Sequence, residues 1–162
     1  HIPFQSALDL GCGTGEMLKL ILQADHRKEL YGIDLSEEML AIARSKLPDQ
    51  VKLLLGDSES LPFPDSSFDV VYCNDSFHHY PAPQNVLREV HRVLKPCGTF
   101  LLGDCWQPFV GRVIMNVYMR HSKEGDVKIY SKEEVVSLLS EFFHDVFWEQ
   151  VGNTACIALG RK

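Results

Sequence analysis

The sequence predicts an α/β fold in which a parallel sheet is covered by helices on both faces. Three observations predict it. Short apolar runs alternate with segments of helical periodicity along the chain. A glycine-rich turn joins the first apolar run to the first helical one. The second run ends in an acid, Asp34, where ligands of such sheets lie.

The first strand is expected over 5–10 and runs into Gly11, Gly13 and Gly15. Glycine here lets the backbone turn sharply and approach a ligand where a Cβ would clash. The helix expected over 15–24 presents unpaired N–H groups at its start, which suit a carboxylate or phosphate. The spacing is G-x-G-x-G; the dinucleotide fingerprint places its third glycine one residue later, where this chain has Glu16. A second strand over 29–34 presents Asp34 to a pair of ribose hydroxyls. Ser36 caps the helix over 37–46, with Glu37 and Glu38 favourable in its first turn. A third strand over 51–55 leads to Gly56 and Asp57, and a fourth spans 69–74. The helix over 84–94 closes on Lys95-Pro-Cys-Gly98 before a fifth strand over 99–104. Ser131-Lys-Glu-Glu134 is a capping box that opens a helix to about Phe142. Strands over 143–150 and 154–160 end the chain.

A chain of 162 residues makes one domain, 1–162, with a substantial core. Its net charge of −6 argues against nucleic acid or an anionic membrane as partner, and no polybasic run is present. The cysteines at 12, 73, 97, 105 and 156 form no C-x-x-C pair. They read as small buried residues of a reducing, cytoplasmic compartment, not as disulfides or zinc ligands. No apolar run approaches the length of a membrane span, and no signal peptide is visible. The first residue is His, so a fragment of a longer chain is expected.

The stretches "LDLGCGTG", "GDSESLPFPDSSFDVVYCN" and "LREVHRVLKPCGTFLL" closely resemble class I S-adenosylmethionine-dependent methyltransferases, in the branch that includes ubiquinone and menaquinone biosynthesis methyltransferases. The likeness covers 6–105 well and 129–160 more loosely. It implies a Rossmann-like sheet of order 3-2-1-4-5-7-6 with strand 7 antiparallel. One departure is Cys97, where the family usually has a second glycine; little effect is expected, since Gly98 can supply the turn.

The resemblance places S-adenosylmethionine across the carboxyl ends of strands 1 to 4. Asp9 then helps hold the methionyl end, beside backbone at Gly11 and Gly13. Asp34 takes the ribose and Leu35 packs on the adenine. Asp57 accepts from the adenine amino group, with Ser58 beside it. The backbone carbonyl of Asn74 lies near the methionyl ammonium. The cofactor carries the reactivity, so the protein must mainly align the acceptor and exclude water. A general base is needed only if the acceptor loses a proton. His79 is the first candidate, because the matching position in the family commonly faces the reaction centre; His78 is the second. No ligand spacing supports a metal at His78, His79 and His91.

Segment 106–130 is the least familiar part, and the family often builds its acceptor site there. Phe109, Val110, Val113, Ile114, Val117 and Tyr118 recur at helical spacing. The stripe is expected to pack into the core; the competing reading puts Trp106, Met115 or Tyr118 at the wall of an acceptor pocket. Arg112, Arg120, His121 and Lys123 read as a solvated face. Family members usually carry helices before the first strand that cover the cofactor. With only seven residues ahead of Leu8, an open cleft, moderate cofactor binding and slow turnover are expected. An apolar patch is also expected beside the ends of strands 1 and 4.

Three function classes stay open. The leading one is a methyltransferase acting on a small-molecule acceptor. The second is a non-catalytic or partner-activated S-adenosylmethionine-binding module. The third is a nicotinamide-dependent enzyme, against which the displaced third glycine counts. A macromolecular acceptor is a less favoured form of the first.

Overall fold

The computed structural model describes residues 2–119 and 126–162. Its strands are β1 Ser6–Leu10, β2 Glu29–Asp34, β3 Lys52–Leu55, β4 Phe68–Asn74, β5 Leu94–Cys105, β6 His144–Val151 and β7 Ala155–Arg161. Its helices are α1 Glu16–Ala24, α2 Glu37–Lys46, α3 Pro83–Val93, α4 Phe109–Met119 and α5 Lys132–Ser140, with a 3-10 turn at Phe77–His79. The sheet order is β3-β2-β1-β4-β5-β7-β6, as the resemblance implied. β7 runs antiparallel to both β5 and β6, while the pairs from β3 to β5 are parallel.

The expected caps form. Ser36 Oγ accepts from the Met39 N–H at 3.3 Å. Ser131 Oγ accepts from the Glu134 N–H at 3.2 Å, and the Glu134 carboxylate accepts from the Ser131 N–H at 2.7 Å.

Alternation along the strands divides the core into two layers. Leu8, Leu10, Val71, Phe100 and Leu102 face Val86, Leu87 and Val90 of α3 and Val135 and Leu139 of α5. Ala7, Val70 and Tyr72 face Leu18 of α1 and Leu40 and Ala43 of α2. On this second face an apolar groove of about 440 Å³ opens over β4, β5 and β7, with Ile2, Phe4 and α1 residues Met17 and Ile21 along it. The groove lies over the length of β4 and not only at its carboxyl end, and its β4 residues Val70, Tyr72 and Cys73 are buried.

Two corners hold the sheet in register. Asp69 accepts from the Gln5 N–H, the Ser6 N–H and Lys95 Nζ at 2.8–2.9 Å, tying β1, β4 and β5 together. Burial pushes this carboxyl up, but those hydrogen bonds outweigh it and hold it well below the usual range. Arg92 of α3 reaches back to the segment before β4. It donates to the carbonyls of Leu61 and Phe63 and pairs with Glu89 and Asp65.

The structure departs from expectation at the α3–β5 corner. β5 begins at Leu94, and the left-handed residue there is Cys97, at φ +63°. Gly98 serves a different need: a Cβ on it would stand 2.8 Å from the Lys95 carbonyl oxygen and 3.2 Å from that of Asp69. Cys97 therefore bears a backbone strain that a glycine at this position would not.

Candidate functional site

The site begins at the turn after β1. The N–H groups of Gly11 and Cys12 both donate to the Ile33 carbonyl, at 2.9 and 3.1 Å, which folds the turn over the end of β2. Gly11 sits at φ +65°, and a Cβ there would stand 2.6 Å from Ser76 Oγ. Gly13, at φ +51°, has no atom within 4 Å of its missing Cβ. Asp34 completes the turn. Its carboxylate accepts from the Gly13 N–H at 2.7 Å and the Ser36 N–H at 2.9 Å.

These residues edge a cavity of about 620 Å³. Of the residues singled out in the sequence, Gly11, Gly13, Asp34, Leu35, Ser58 and His79 line it. Leu35 is 71% exposed, an apolar side chain held open at the rim. Asp75, Ser76 and Tyr80, from the loop after β4, line it as well. Ser76 Oγ donates to the Leu10 carbonyl at 2.9 Å and lies 3.2 Å from the Tyr80 hydroxyl, which is 3.4 Å from Ser58 Oγ. Asp75 takes φ +55°, a strained conformation of the kind that clusters at functional sites.

Three expected residues stand apart from this lining. Asp57 is exposed, and its Oδ1 accepts from the Glu59 N–H at 2.8 Å, shaping the turn after β3. Asn74 lies on the second face of the sheet, at the apolar groove. Asp9 is buried at 2% exposure. Burial drives its carboxyl well above the usual range; the nearby Tyr72 hydroxyl opposes this and the Asp34 charge adds to it. The buried Tyr72 hydroxyl faces Asp9 and has no other partner among the described residues.

A second group of side chains adjoins the cavity. His78 Nδ1 lies 2.6 Å from Asp104 Oδ1, and the His78 N–H donates to Asp104 Oδ2 at 2.9 Å. Asp126 Oδ1 lies 3.7 Å from His78 Nε2 and 3.3 Å from His79 Nδ1. Burial alone would lower the His78 pKa, but Asp104 and the adjacent Cys105 push it up to about 10. Sequence reasoning missed both acids. Asp104 carried a usable signal, an acid at the carboxyl end of a strand, like Asp34. Asp126 carried none.

This group borders a cavity of about 420 Å³, which shares Asp75 with the larger one. Met115 and Tyr118 stand at its wall, whereas Trp106 packs instead on Trp148, ring centroids 5.9 Å apart. The α4 stripe does not pack into the core: Phe109, Val110, Ile114 and Tyr118 are 64–71% exposed. Helical periodicity reported an apolar face and not what covers it. Arg112 donates to the Gln107 carbonyl at 3.3 Å, while Arg120, His121 and Lys123 lie outside the described residues. No helix among the described residues is long and apolar enough to cross a membrane.

Comparison with known proteins shows the family and the fold. The methyltransferase domain family matches residues 8–102. An uncharacterized methyltransferase, YcgJ of Bacillus subtilis, is 39% identical over 62% of the chain, a match spanning 41% of that relative. Its crystal structure superposes with a TM-score of 0.80 at 25% identity, covering 98% of this chain and 92% of that one. A demethylmenaquinone methyltransferase of Thermotoga maritima is 34% identical over 90% of the chain and 72% of its own length. The methyltransferase in a complex with the Haloferax volcanii Trm112 methyltransferase activator has a TM-score of 0.84 at 23% identity, covering 97% and 82% of the two chains.

Proposed function

The chain belongs to the methyltransferase domain family, and from that membership we propose that it moves a methyl group from S-adenosylmethionine to a small-molecule acceptor, as a single domain over 1–162. The observation that carries this reading is the Asp34 carboxylate. Two backbone N–H groups fix it at the rim of the 620 Å³ cavity, and each of its oxygens keeps a lone pair for a ribose hydroxyl.

The residues present fit the cofactor. Gly13 leaves the space that a Cβ would fill, and exposed Leu35 offers an apolar surface to adenine. Asp9, buried beside Tyr72, supplies the counter-charge for the methionyl ammonium, directly or through a water. Asp57 and Ser58 stand on the turn at the adenine end, and Asn74 contributes its backbone carbonyl. The cofactor brings a sulfonium that is already a strong methyl donor. The protein's share is alignment and exclusion of water. His79 lines the cavity and contacts the acceptor or takes its proton. The smaller cavity, joined through Asp75 and walled by Met115 and Tyr118, receives the acceptor.

A thermal-shift screen with S-adenosylmethionine, its demethylated product and NAD tests the cofactor. The first two should stabilise the chain and NAD should not; stabilisation by NAD alone would refute the assignment. An acceptor panel that begins with demethylmenaquinone, the compound in the Thermotoga relative's name, then tests transfer. With an acceptor in hand, His79→Ala should lower turnover while leaving cofactor affinity nearly unchanged. The partner-activated module is the second reading, raised by the structural neighbour solved with an activator. It predicts cofactor binding without turnover until a partner is added.

A further inference from the structure

We propose that His78 Nε2, His79 Nδ1 and Asp126 Oδ1 form a binding site for one divalent transition-metal ion of the zinc type. One donor atom from each residue lies within 4.8 Å of the others. The separations of Asp126 Oδ1 from His78 Nε2 and His79 Nδ1, 3.7 and 3.3 Å, bracket the edge of a tetrahedron with metal bonds of about 2.0–2.1 Å, which is roughly 3.3–3.4 Å. The two imidazole nitrogens lie within 4.8 Å of each other, so closing the three donors on an ion needs them to approach by at most about 1.5 Å, given that edge.

The surroundings are built for that geometry. Asp104 occupies His78 Nδ1 at 2.6 Å, which aims the opposite nitrogen, Nε2, at Asp126. Carboxylates placed behind metal-bound histidines in this way fix the ring and raise its basicity. Asp104 is itself anchored, accepting from the backbone N–H groups of His78 and Cys105. Asp126 is held from its own side, because the N–H groups of Val127 and Lys128 donate to the His78 carbonyl at 2.9 and 3.1 Å. The two carboxylates balance a divalent charge. Two imidazoles and one carboxylate leave a coordination position open, as in zinc sites that act on a ligand, and the 420 Å³ cavity adjoins both His78 and Asp126. If that cavity takes the acceptor, as proposed above, the open position would meet an oxygen or nitrogen of the acceptor.

A rival donor set, His78 with Asp104 and Cys105, is also compact. It would spend His78 Nδ1 on the metal and break the 2.6 Å contact that orients the ring. The chosen set keeps that contact.

The test is titration of the purified chain, first freed of metal, with Zn²⁺ by calorimetry and with Co²⁺ by visible absorption. One equivalent should bind, and the Co²⁺ form should show d–d bands without a thiolate charge-transfer band. His79→Ala and Asp126→Ala alter partly exposed side chains, so both proteins should fold, and each should bind at least about tenfold more weakly, because each loses one of three ligands. Asp104→Asn should weaken binding by about 10- to 100-fold, the range for outer-shell partners. Undiminished binding in both ligand variants, no binding by the unaltered chain, or a thiolate band that Cys105→Ser abolishes would each overturn the site. None of these outcomes bears on the cofactor screen, so failure here and failure of the methyl-transfer reading are distinguishable.

Discussion

The Asp34 carboxylate accepts the Gly13 N–H at 2.7 Å. The acid at the tip of β2 therefore braces the glycine turn after β1 before any ligand arrives. Asp34→Ala should lose both this brace and the ribose contact. A hydrogen bond to a charged group is worth roughly 1.5–3 kcal/mol, about ten- to a hundredfold in affinity. Calorimetry reads the affinity, and amide exchange at Gly13 in the empty protein reads the brace. Wild-type binding in the variant would remove Asp34 from the ribose site.

Gly11 and Gly13 should respond differently to alanine. At Gly11 the left-handed φ and the 2.6 Å approach to Ser76 Oγ act together. Backbone and overpacking costs sum to roughly 2–5 kcal/mol. At Gly13 only the backbone cost applies, about 1–2 kcal/mol, and the added methyl stands in open space at the cavity lining. Gly11→Ala should therefore appear chiefly in the denaturation midpoint, and Gly13→Ala chiefly in cofactor affinity.

Asp9 should trade stability for binding. Its folded pKa is raised by burial, partly opposed by Tyr72 and supported by Asp34. The unfolded chain thus releases this proton first, near the ordinary Asp pKa of about 3.9. Stability from this group is undiminished below that value and falls as pH rises towards the folded pKa. Asp9→Asn should remove the slope and stabilise the empty protein at pH 7 more than at pH 4, because the amide has no proton to lose on unfolding. It should also weaken cofactor binding. Urea midpoints at pH 4 and pH 7 check the first effect: the advantage of the variant should be present at the higher pH and shrink at the lower.

Cys97 is exposed and left-handed at φ +63°. Cys97→Gly should stabilise by about 1 kcal/mol, the lower end of the left-handed penalty for a residue with a Cβ. For a chain of this size that is a rise of roughly 2–4 °C in Tm. The side chain makes no buried contact that the substitution would remove. An unchanged or lower Tm would show that the corner relaxes around Cys97 without strain.

What could be read from the sequence is what short-range chemistry encodes. The Ser36 cap and the Ser131–Glu134 box depend on neighbours three residues away, and both form where expected; the glycine turn and Asp34 were legible as a motif, although the bond that joins them spans 21 residues. The strand order came from resemblance, because periodicity does not state which strands pair. The Asp126 contacts with His78 and His79 were illegible, since tertiary packing alone brings that segment back to the 3-10 turn. The exposure of the α4 stripe was misjudged because an apolar face looks the same in sequence whether covered or bare. At the α3–β5 corner the two adjacent residues invited one explanation, and the structure separates them into a conformational need at Cys97 and a spatial one at Gly98.

The sheet order also sets a timetable. β5 pairs with β4 on one side and with β7 on the other, in a register that runs from Thr99 opposite Arg161 to Cys105 opposite Ala155. During synthesis the first five strands are available long before the seventh. Until residues 155–161 leave the ribosome, the outer edge of β5 offers an unpaired ladder built on Phe100, Leu101 and Leu102. Open edges of this kind recruit other chains. Nascent chains stalled between β5 and β7 should therefore be the most aggregation-prone species on the way to this fold, and β7 is the strand that closes that edge.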